Sequence, residues 1–385
     1  MKVFEFATAG RLLFGDGAIS RVPSIASGWG TRALLVRGAS PSRSAILDAA
    51  LVEAGVECAH FAVTSEPTVE TVEEGSRALQ EARCDLVVAI GGGSVLDAGK
   101  AIAALATNGG NPLDFMEIVG RGLPITIPPL PFVAIPTTAG TGTEVTRNVV
   151  LLSKEHGVKA SMRSPLLLPR LAVVDPELTY ECPARVTAAA GMDALTQLIE
   201  PYLSVNANPL TDALALEGIG RIARSLRSAY RNGHDRDARE DMALAALLSG
   251  MCLANAGLGV VHGIAAPLGG LLGAPHGAVC ARLLPFVMRI NLQALQARDP
   301  QSPALARLAR IAQVVTGQER ATVSAGPAWI AELGKELQIP ALGSYGLTTS
   351  MIPSLVEQTM LASSTRGNPI VLEAGEIAAA IEAAL

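Results

Sequence analysis

Two different hydrophobic rhythms divide the chain. Up to about residue 175, short apolar runs recur between amphipathic stretches: RALLV at 32–36, a run at 56–62, DLVVAI at 85–90 and FVAI at 132–135. Uninterrupted runs of this length predict strands buried on both faces. Helical periodicity fills the intervals at 44–54 and in SEPTVETVEEGSRALQEARC, where Pro67 marks the entry, acidic residues follow and the helix ends near Arg83. Further strands are expected at 2–6 and 11–14, closed by Gly15-Asp16-Gly17, and at 148–152, 158–162 and 171–174. Alternation of strands and helices predicts parallel βαβ units in an open, doubly wound sheet. From Ala184 the strand pattern stops. Helices are predicted at 185–204, 209–230, 236–256, 260–271, 277–296, 303–316, 322–337, 349–362 and 373–384, separated by Gly, Pro and Asn breaks. The expected fold is an α/β N-terminal domain over residues 1–180 and an all-α C-terminal domain over 181–385.

Composition narrows the function. A chain of 385 residues is long for one core, and 49% hydrophobic with 3% aromatic content describes a Leu/Val/Ile/Ala interior. The net charge of −5 is spread over both signs without a basic cluster, so no nucleic-acid partner is expected. Five separated cysteines form neither a CxxC pair nor a disulfide framework, which fits a reducing cytoplasm. The N-terminus has no cleavable signal pattern. Residues 242–281, about 40 positions, contain no Asp, Glu, Lys or Arg. Pro267, Pro275 and many glycines interrupt that stretch, so it reads as helices buried on all sides and not as a membrane span.

Two loops carry candidate binding chemistry. The strand at 85–90 runs into Gly91-Gly92-Gly93-Ser94 and then a helix. Such a turn brings an anion to backbone N–H groups at a helix N-terminus, although it also suits a merely tight turn, and its spacing is not GxGxxG. Ser94 with Asp97 fits a capping box. The strand at 132–135 leads into Pro136-Thr137-Thr138-Ala139-Gly140-Thr141-Gly142-Thr143-Glu144, where Thr141 and Glu144 again fit a capping box. Two Gly/Thr-rich loops after parallel strands belong at the carboxyl edge of one sheet, where such sheets bind nucleotides.

The second half holds a candidate metal constellation. Asp193 and Gln197 are four residues apart, on one helix face. His262 opens a Gly-flanked helix and His276 opens the next, after Pro275. A carboxylate, an amide oxygen and two imidazoles suit Fe²⁺ or Zn²⁺. Buried histidines more often hydrogen-bond within a core, and a separation of about 65 residues from Gln197 to His262 does not define a site by itself.

The motifs GGGSVLDAGKA, IPTTAGTGTEVT, DPELT, GMDALTQLIE and HGIAAPLGG…PHGAV, in this order, resemble the iron-containing (group III) alcohol dehydrogenase family over nearly the whole chain. The resemblance implies a dehydroquinate synthase-like architecture, with a nucleotide-binding α/β domain, an all-α domain, and cofactor and metal meeting in the cleft between them. It implies NAD(P)-dependent interconversion of alcohols with aldehydes or ketones by metal-assisted hydride transfer, and a homodimer paired through its N-terminal strands. Carried over by position, Gly92, Gly93 and Ser94 hold the diphosphate, and Asp97 supports that turn or contacts the nicotinamide end. Thr137, Thr138 and Thr141 line the adenine and ribose side, Lys159 approaches the nicotinamide ribose, and Gly38 and Leu178 are cofactor positions. Asp193, His262 and His276 fall on metal-ligand positions and form the catalytic centre.

Three departures qualify this picture. The family usually has His where this chain has Gln197, a neutral and weaker ligand. Asp193, His262 and His276 alone match the pattern of the related zinc glycerol dehydrogenases. A second His, four residues after the ligand at His262, is replaced by Ala266, so the proton leaves by water, a ribose hydroxyl or another group. The first strand of the family often ends in an acidic residue that repels a 2′-phosphate. Here it ends in Arg37-Gly38, with Ser40 and Arg43 nearby, which admits NADP. Two other readings stand beside the dehydrogenase. One is a maleylacetate reductase-like enzyme, against which Val261-His262-Gly263-Ile264 lacks the His-His-Lys pattern. The other is a non-catalytic nucleotide-binding protein that has lost the metal.

Overall fold

The computed structural model describes residues 3–385, which form two compact units. One comprises residues 7–138 and 142–180. The other comprises residues 181–385 together with the described residues 3–6 and the short segment 139–141.

In chain order the α/β unit contains β1 (Leu12–Phe14), α1 (Val22–Ala26), β2 (Arg32–Arg37), α2 (Ala45–Glu53), β3 (Glu57–Ala62), α3 (Val69–Glu81), β4 (Leu86–Gly91), α4 (Gly93–Asn108), α5 (Pro112–Phe115), β5 (Phe132–Pro136), β6 (Asn148–Ser153), β7 (Val158–Arg163) and β8 (Leu171–Val174). Six strands form one sheet in the order β1-β8-β5-β4-β2-β3, and every pairing is parallel. The apolar runs end up buried on both faces. Leu34, Val36, Val87, Ala89, Phe132 and Ala134 belong to one core, whereas Ala33, Leu35, Leu86, Val88, Ile90, Val133 and Ile135 belong to the core on the opposite face. Successive side chains point to opposite sides of a strand, so one run feeds two hydrophobic layers. β6 and β7 lie outside this sheet as an antiparallel hairpin.

Three local expectations change. Residues 3–6 form no strand, residue 2 lies outside the described residues, and β1 pairs with β8. Ser94 is not a cap, because α4 already starts at Gly93 with Gly92 in the N-cap position and no side-chain cap bond. Asp97, one turn further on, accepts instead from the Val150 backbone N–H at 3.3 Å. The Thr141–Glu144 segment opens no α-helix. Gly142 adopts φ 60° ahead of a single 3-10 turn over Thr143–Val145, which is too short to offer the donors of an α-helix start.

The second unit is helical: α6 (Ala184–Leu203), α7 (Pro209–Arg231), α8 (Arg236–Ala256), α9 (Val260–Leu272), α10 (His276–Arg298), α11 (Pro303–Thr316), α12 (Ala325–Glu336), α13 (Ile352–Leu361) and α14 (Ala374–Ala384). α10 is long and apolar enough to cross a membrane, but 72% of its most apolar stretch is buried inside the protein. Its apolar residues, among them Val279, Leu283, Leu284 and Val287, join Leu195, Leu198, Ile264 and Leu268 in a single core. Most of the charge-free stretch from α8 to α10 is buried in this core, whereas Ala266, Leu271, Gly273 and Pro275 are exposed.

Candidate metal centre and cofactor loops

Three helices of the second unit place the polar groups of the centre. On α6, Asp193, Gln197 and Glu200 follow a spacing that keeps them on one helix face. His262 lies in the first turn of α9, and His276 is the first residue of α10, with Cys280 one turn later. Gly277 allows the approach. A Cβ there would stand 2.5 Å from the Ala189 carbonyl oxygen, so any side chain would push α10 away from α6 and His276 away from Asp193.

The result is a tight cluster of donor atoms. His262 Nε2 lies 3.6 Å from Asp193 Oδ1 and His276 Nε2 lies 3.8 Å from it. The two imidazole centroids are 5.4 Å apart. Both imidazole contacts with Asp193 are too long for hydrogen bonds. Indeed Asp193 Oδ1 and His262 Nε2 are buried without a hydrogen-bond partner, although their side chains are only 3% and 5% exposed. Buried polar atoms are nearly always paired, so two orphans aimed at the same point signal a missing ligand. The His276 side chain, 39% exposed, leaves that side open.

Surrounding groups fix the cluster. Glu200 Oε2 is 2.6 Å from His262 Nδ1, and Glu200 Oε1 accepts from the Val261 N–H at 2.7 Å. A carboxylate only accepts, so Nδ1 carries a proton, and it is Nε2 that would give up its own to offer a lone pair to a metal. The same logic orients Gln197: its Nε2 donates to Asp193 Oδ2 at 3.1 Å, and its Oε1 faces Ser249 Oγ at 3.1 Å. Burial on its own pulls the His262 pKa down. The electrostatic pull of Cys280 and Glu200 and the proximity of Asp193 outweigh it and hold the imidazole well above its ordinary value. Cys280 likewise lifts His276, against burial and with help from Asp193. Burial acts to raise Asp193, yet both histidines bring its carboxyl below the usual range. The cluster is electrostatically short of positive charge. A divalent cation meets that need, and the donor set of one carboxylate oxygen and two imidazole nitrogens fits it.

The cofactor positions gather at the other unit's sheet edge. Because β2, β4, β5 and β8 run parallel, the loops after them, with Gly38, Gly92-Gly93-Ser94, Thr137-Thr138 and Leu178, all leave the carboxyl edge. Two of these loops are adjacent. The Thr137 N–H donates to Gly91 O at 2.9 Å, and Thr138 Oγ1 lies where a Cβ on Gly92 would contact it at 3.5 Å. A Cβ on Gly91 would meet Val95 at 2.6 Å, which explains glycine at the strand-to-helix corner. Gly93 and Ser94 open α4 and present N–H groups that the helix cannot satisfy internally. The remaining positions are dispersed. Thr141 falls in the segment that counts with the helical unit. Lys159 sits on the β6–β7 hairpin and pairs with Glu66 at 2.7 Å. Leu178, in the 3-10 turn after β8, packs on a sheet-face core.

Two residues of the centre escaped the sequence reading, Glu200 and Cys280. Their signals were present as spacing: Glu200 is seven residues after Asp193, and Cys280 four after His276.

A doubly wound unit with its loops at the carboxyl edge, combined with a helical unit holding a carboxylate–diimidazole cluster, is the pattern of a metal-dependent dehydrogenase. Residues 9–176 match the iron-containing alcohol dehydrogenase family, and residues 187–385 match the C-terminal region of the Fe-containing alcohol dehydrogenase family. The chain is 38% identical to 1,3-propanediol dehydrogenase from Klebsiella pneumoniae, over 98% of each protein. It superposes on 1,3-propanediol oxidoreductase with a TM-score of 0.92 and 37% identity, covering all of both chains. Sulfoacetaldehyde reductase from Bifidobacterium kashiwanohense, solved in complex with NAD+, gives a TM-score of 0.86 and 28% identity over 100% of this chain and 99% of that one. The protein belongs to the iron-containing alcohol dehydrogenase family. It is an oxidoreductase that interconverts alcohols with aldehydes or ketones.

Proposed function

We propose that this enzyme oxidises and reduces a small alcohol–carbonyl pair with a nicotinamide dinucleotide, using a divalent metal held by Asp193, His262 and His276. The reading rests on one observation: Asp193 Oδ1 and His262 Nε2 are buried, partnerless and 3.6 Å apart. A divalent cation supplies Lewis acidity, which lowers the pKa of an alcohol and polarises a carbonyl. The nicotinamide supplies the hydride acceptor and donor.

The chain's own residues do the rest. Asp193 brings the negative charge that keeps a cation in a buried setting. Glu200 holds His262 in the tautomer that leaves Nε2 free, and Gln197 braces Asp193 through Oδ2. Gly92, Gly93 and Ser94 offer backbone N–H groups and the positive end of α4 to a diphosphate. Thr137 and Thr138 supply hydroxyls for the nucleoside side. Buried apolar neighbours of the ligands in the chain, including Val261, Ile264 and Val279, keep water from these helices and strengthen the electrostatics of the centre. Ala266 offers no proton acceptor, so the alcohol proton leaves through water or a cofactor hydroxyl.

Arg37-Gly38 at the end of β2 supports acceptance of NADP, because no carboxylate opposes a 2′-phosphate there. Relatives are named for 1,3-propanediol, choline and long-chain alcohols, so substrate breadth in the family is wide and a short primary alcohol is the first class to screen. Five cysteines that form no disulfide support a reducing cytoplasm, and exposed Val3 and Phe4 support pairing of two chains near their N-termini.

Metal analysis of protein purified without chelator, with a screen of alcohols and aldehydes against both cofactors, tests the proposal. About one divalent ion per chain and turnover of a short alcohol are expected. Neither metal nor turnover would make it a nucleotide-binding protein, and metal-free turnover of maleylacetate would make it a reductase of that type.

A further inference from the structure

We propose that Cys280 is a metal ligand, giving this centre one sulfur donor beside Asp193, His262 and His276, and that Gln197 is a positioning residue outside the donor set. The inference rests on the metal centre proposed above and concerns which of this chain's residues face it.

Geometry carries the argument. Cys280 follows His276 by one helical turn, so both side chains leave α10 on the same face. Its side chain is fully buried, and its Sγ lies 3.6 Å from His276 Nε2. One atom each from Asp193, His262, His276 and Cys280 lies within 4.8 Å of all the others, and no other His/Cys/Asp/Glu group among the described residues is so arranged. A tetrahedral ion bound through N or O at about 2.0–2.2 Å and through S at about 2.3 Å spaces its N and O ligands roughly 3.3–3.6 Å apart and its sulfur about 3.5–3.7 Å from them. The separations of 3.6, 3.8 and 3.6 Å lie on or within about 0.2 Å of that spacing, and the remaining pairs are within 4.8 Å.

Gln197, by contrast, is already committed. Asp193 can only accept, so the Gln197 amide must turn its NH₂ to Oδ2, which directs its oxygen to Ser249. Moving that oxygen onto a metal would strip Asp193 Oδ2 of its donor. Gln197 therefore acts through Asp193. On metal binding the Cys280 thiol gives its proton to solvent and the sulfur binds as thiolate. A thiolate tilts the centre toward Zn²⁺ relative to a set made only of nitrogen and oxygen.

Titration of the full-length, chelator-stripped protein with Co²⁺ alone tests this. One equivalent is expected to bind with a near-ultraviolet sulfur-to-cobalt charge-transfer band. Cys280→Ala should abolish that band and weaken Co²⁺ binding at least about tenfold. Cys58→Ala and Cys84→Ala should keep both the band and the affinity. Gln197→Ala should keep the band while weakening binding by about tenfold, the scale of a lost outer contact. Should Cys280→Ala fail to fold, X-ray absorption of the Zn²⁺-loaded wild type decides, through one sulfur at about 2.3 Å. Stoichiometric Co²⁺ without a sulfur band, or a band that survives Cys280→Ala, overturns the assignment and leaves the three-residue centre intact. Absence of stoichiometric Co²⁺ binding overturns both.

Discussion

Gly38 directly follows β2, at the corner proposed to face the adenosine ribose. A Cβ at Gly38 would find nothing within 4 Å, so a side chain can leave the backbone there without a clash. Next to it, Arg37 is half-buried, with Nη1 donating to Gly38 O at 3.1 Å. Gly38→Asp should lower the NADP-to-NAD ratio of kcat/KM by at least about tenfold, about 1.4 kcal/mol of repulsion against the 2′-phosphate. An unchanged ratio would show that this corner does not touch the ribose. The same scale shows how much of the centre was legible. Asp193, His262 and His276 stood out because their residue types coordinate metals. Glu200 and Cys280 did not, since an acidic residue and a buried cysteine on apolar helices look like ordinary surface and core until their neighbours are placed.

At the scale of elements, α4 is tied to the loop before β6 through a buried lysine. Lys100 Nζ donates to the carbonyls of Thr143 and Thr146, both at 2.8 Å, and of Asn148 at 3.1 Å. Burial pushes Lys100 down to about 8, against the pull of Asp97 and Glu144. Burial pushes Asp97 and Glu144 up to about 7, and Lys100 opposes the rise in both. Asp97 and Glu144 bring the opposite charge near this lysine, and Asp97 also accepts from the Val150 N–H. Glu144 gives a pH test. Its folded pKa of about 7 exceeds the ordinary 4.5, so the folded state binds the extra proton between those values and loses stability as pH rises through them. Glu144→Gln should therefore gain stability relative to wild type by up to about 1.4 kcal/mol per pH unit across that window, and then level off. Urea unfolding of both proteins at several pH values measures this. A difference independent of pH would mean that Glu144 is solvated in the folded state.

For the molecule as a whole, every group of the candidate metal centre belongs to the helical unit, on α6, α9 and α10. Metal binding should therefore stabilise that unit, by about 4 kcal/mol when free metal reaches a thousand times its Kd. Hydrogen exchange with and without Zn²⁺ reads the effect: added protection should concentrate in α6, α9 and the first turns of α10. A rise spread evenly over the β-strands, or none at all, would count against a centre built there.

What the sequence determined by itself was the sum of local signals. Apolar runs of strand length, amphipathic and wholly apolar helices, and Gly/Thr loops after strands follow from side-chain periodicity and backbone preference, which neighbours in the chain set directly. The helices α6 to α10 lie within a few residues of where periodicity puts them, because capping and breaker residues act within a turn. Tertiary structure decided the rest. The hairpin of β6 and β7 stands apart from the sheet, β1 pairs with β8 across some 160 residues, and Gln197 turns to Asp193 and Ser249. Which donors converge is a matter of packing. Only the approach of α10 to α6 through Gly277 brings Cys280 and His276 to Asp193, and distances between remote segments are not encoded in any local pattern.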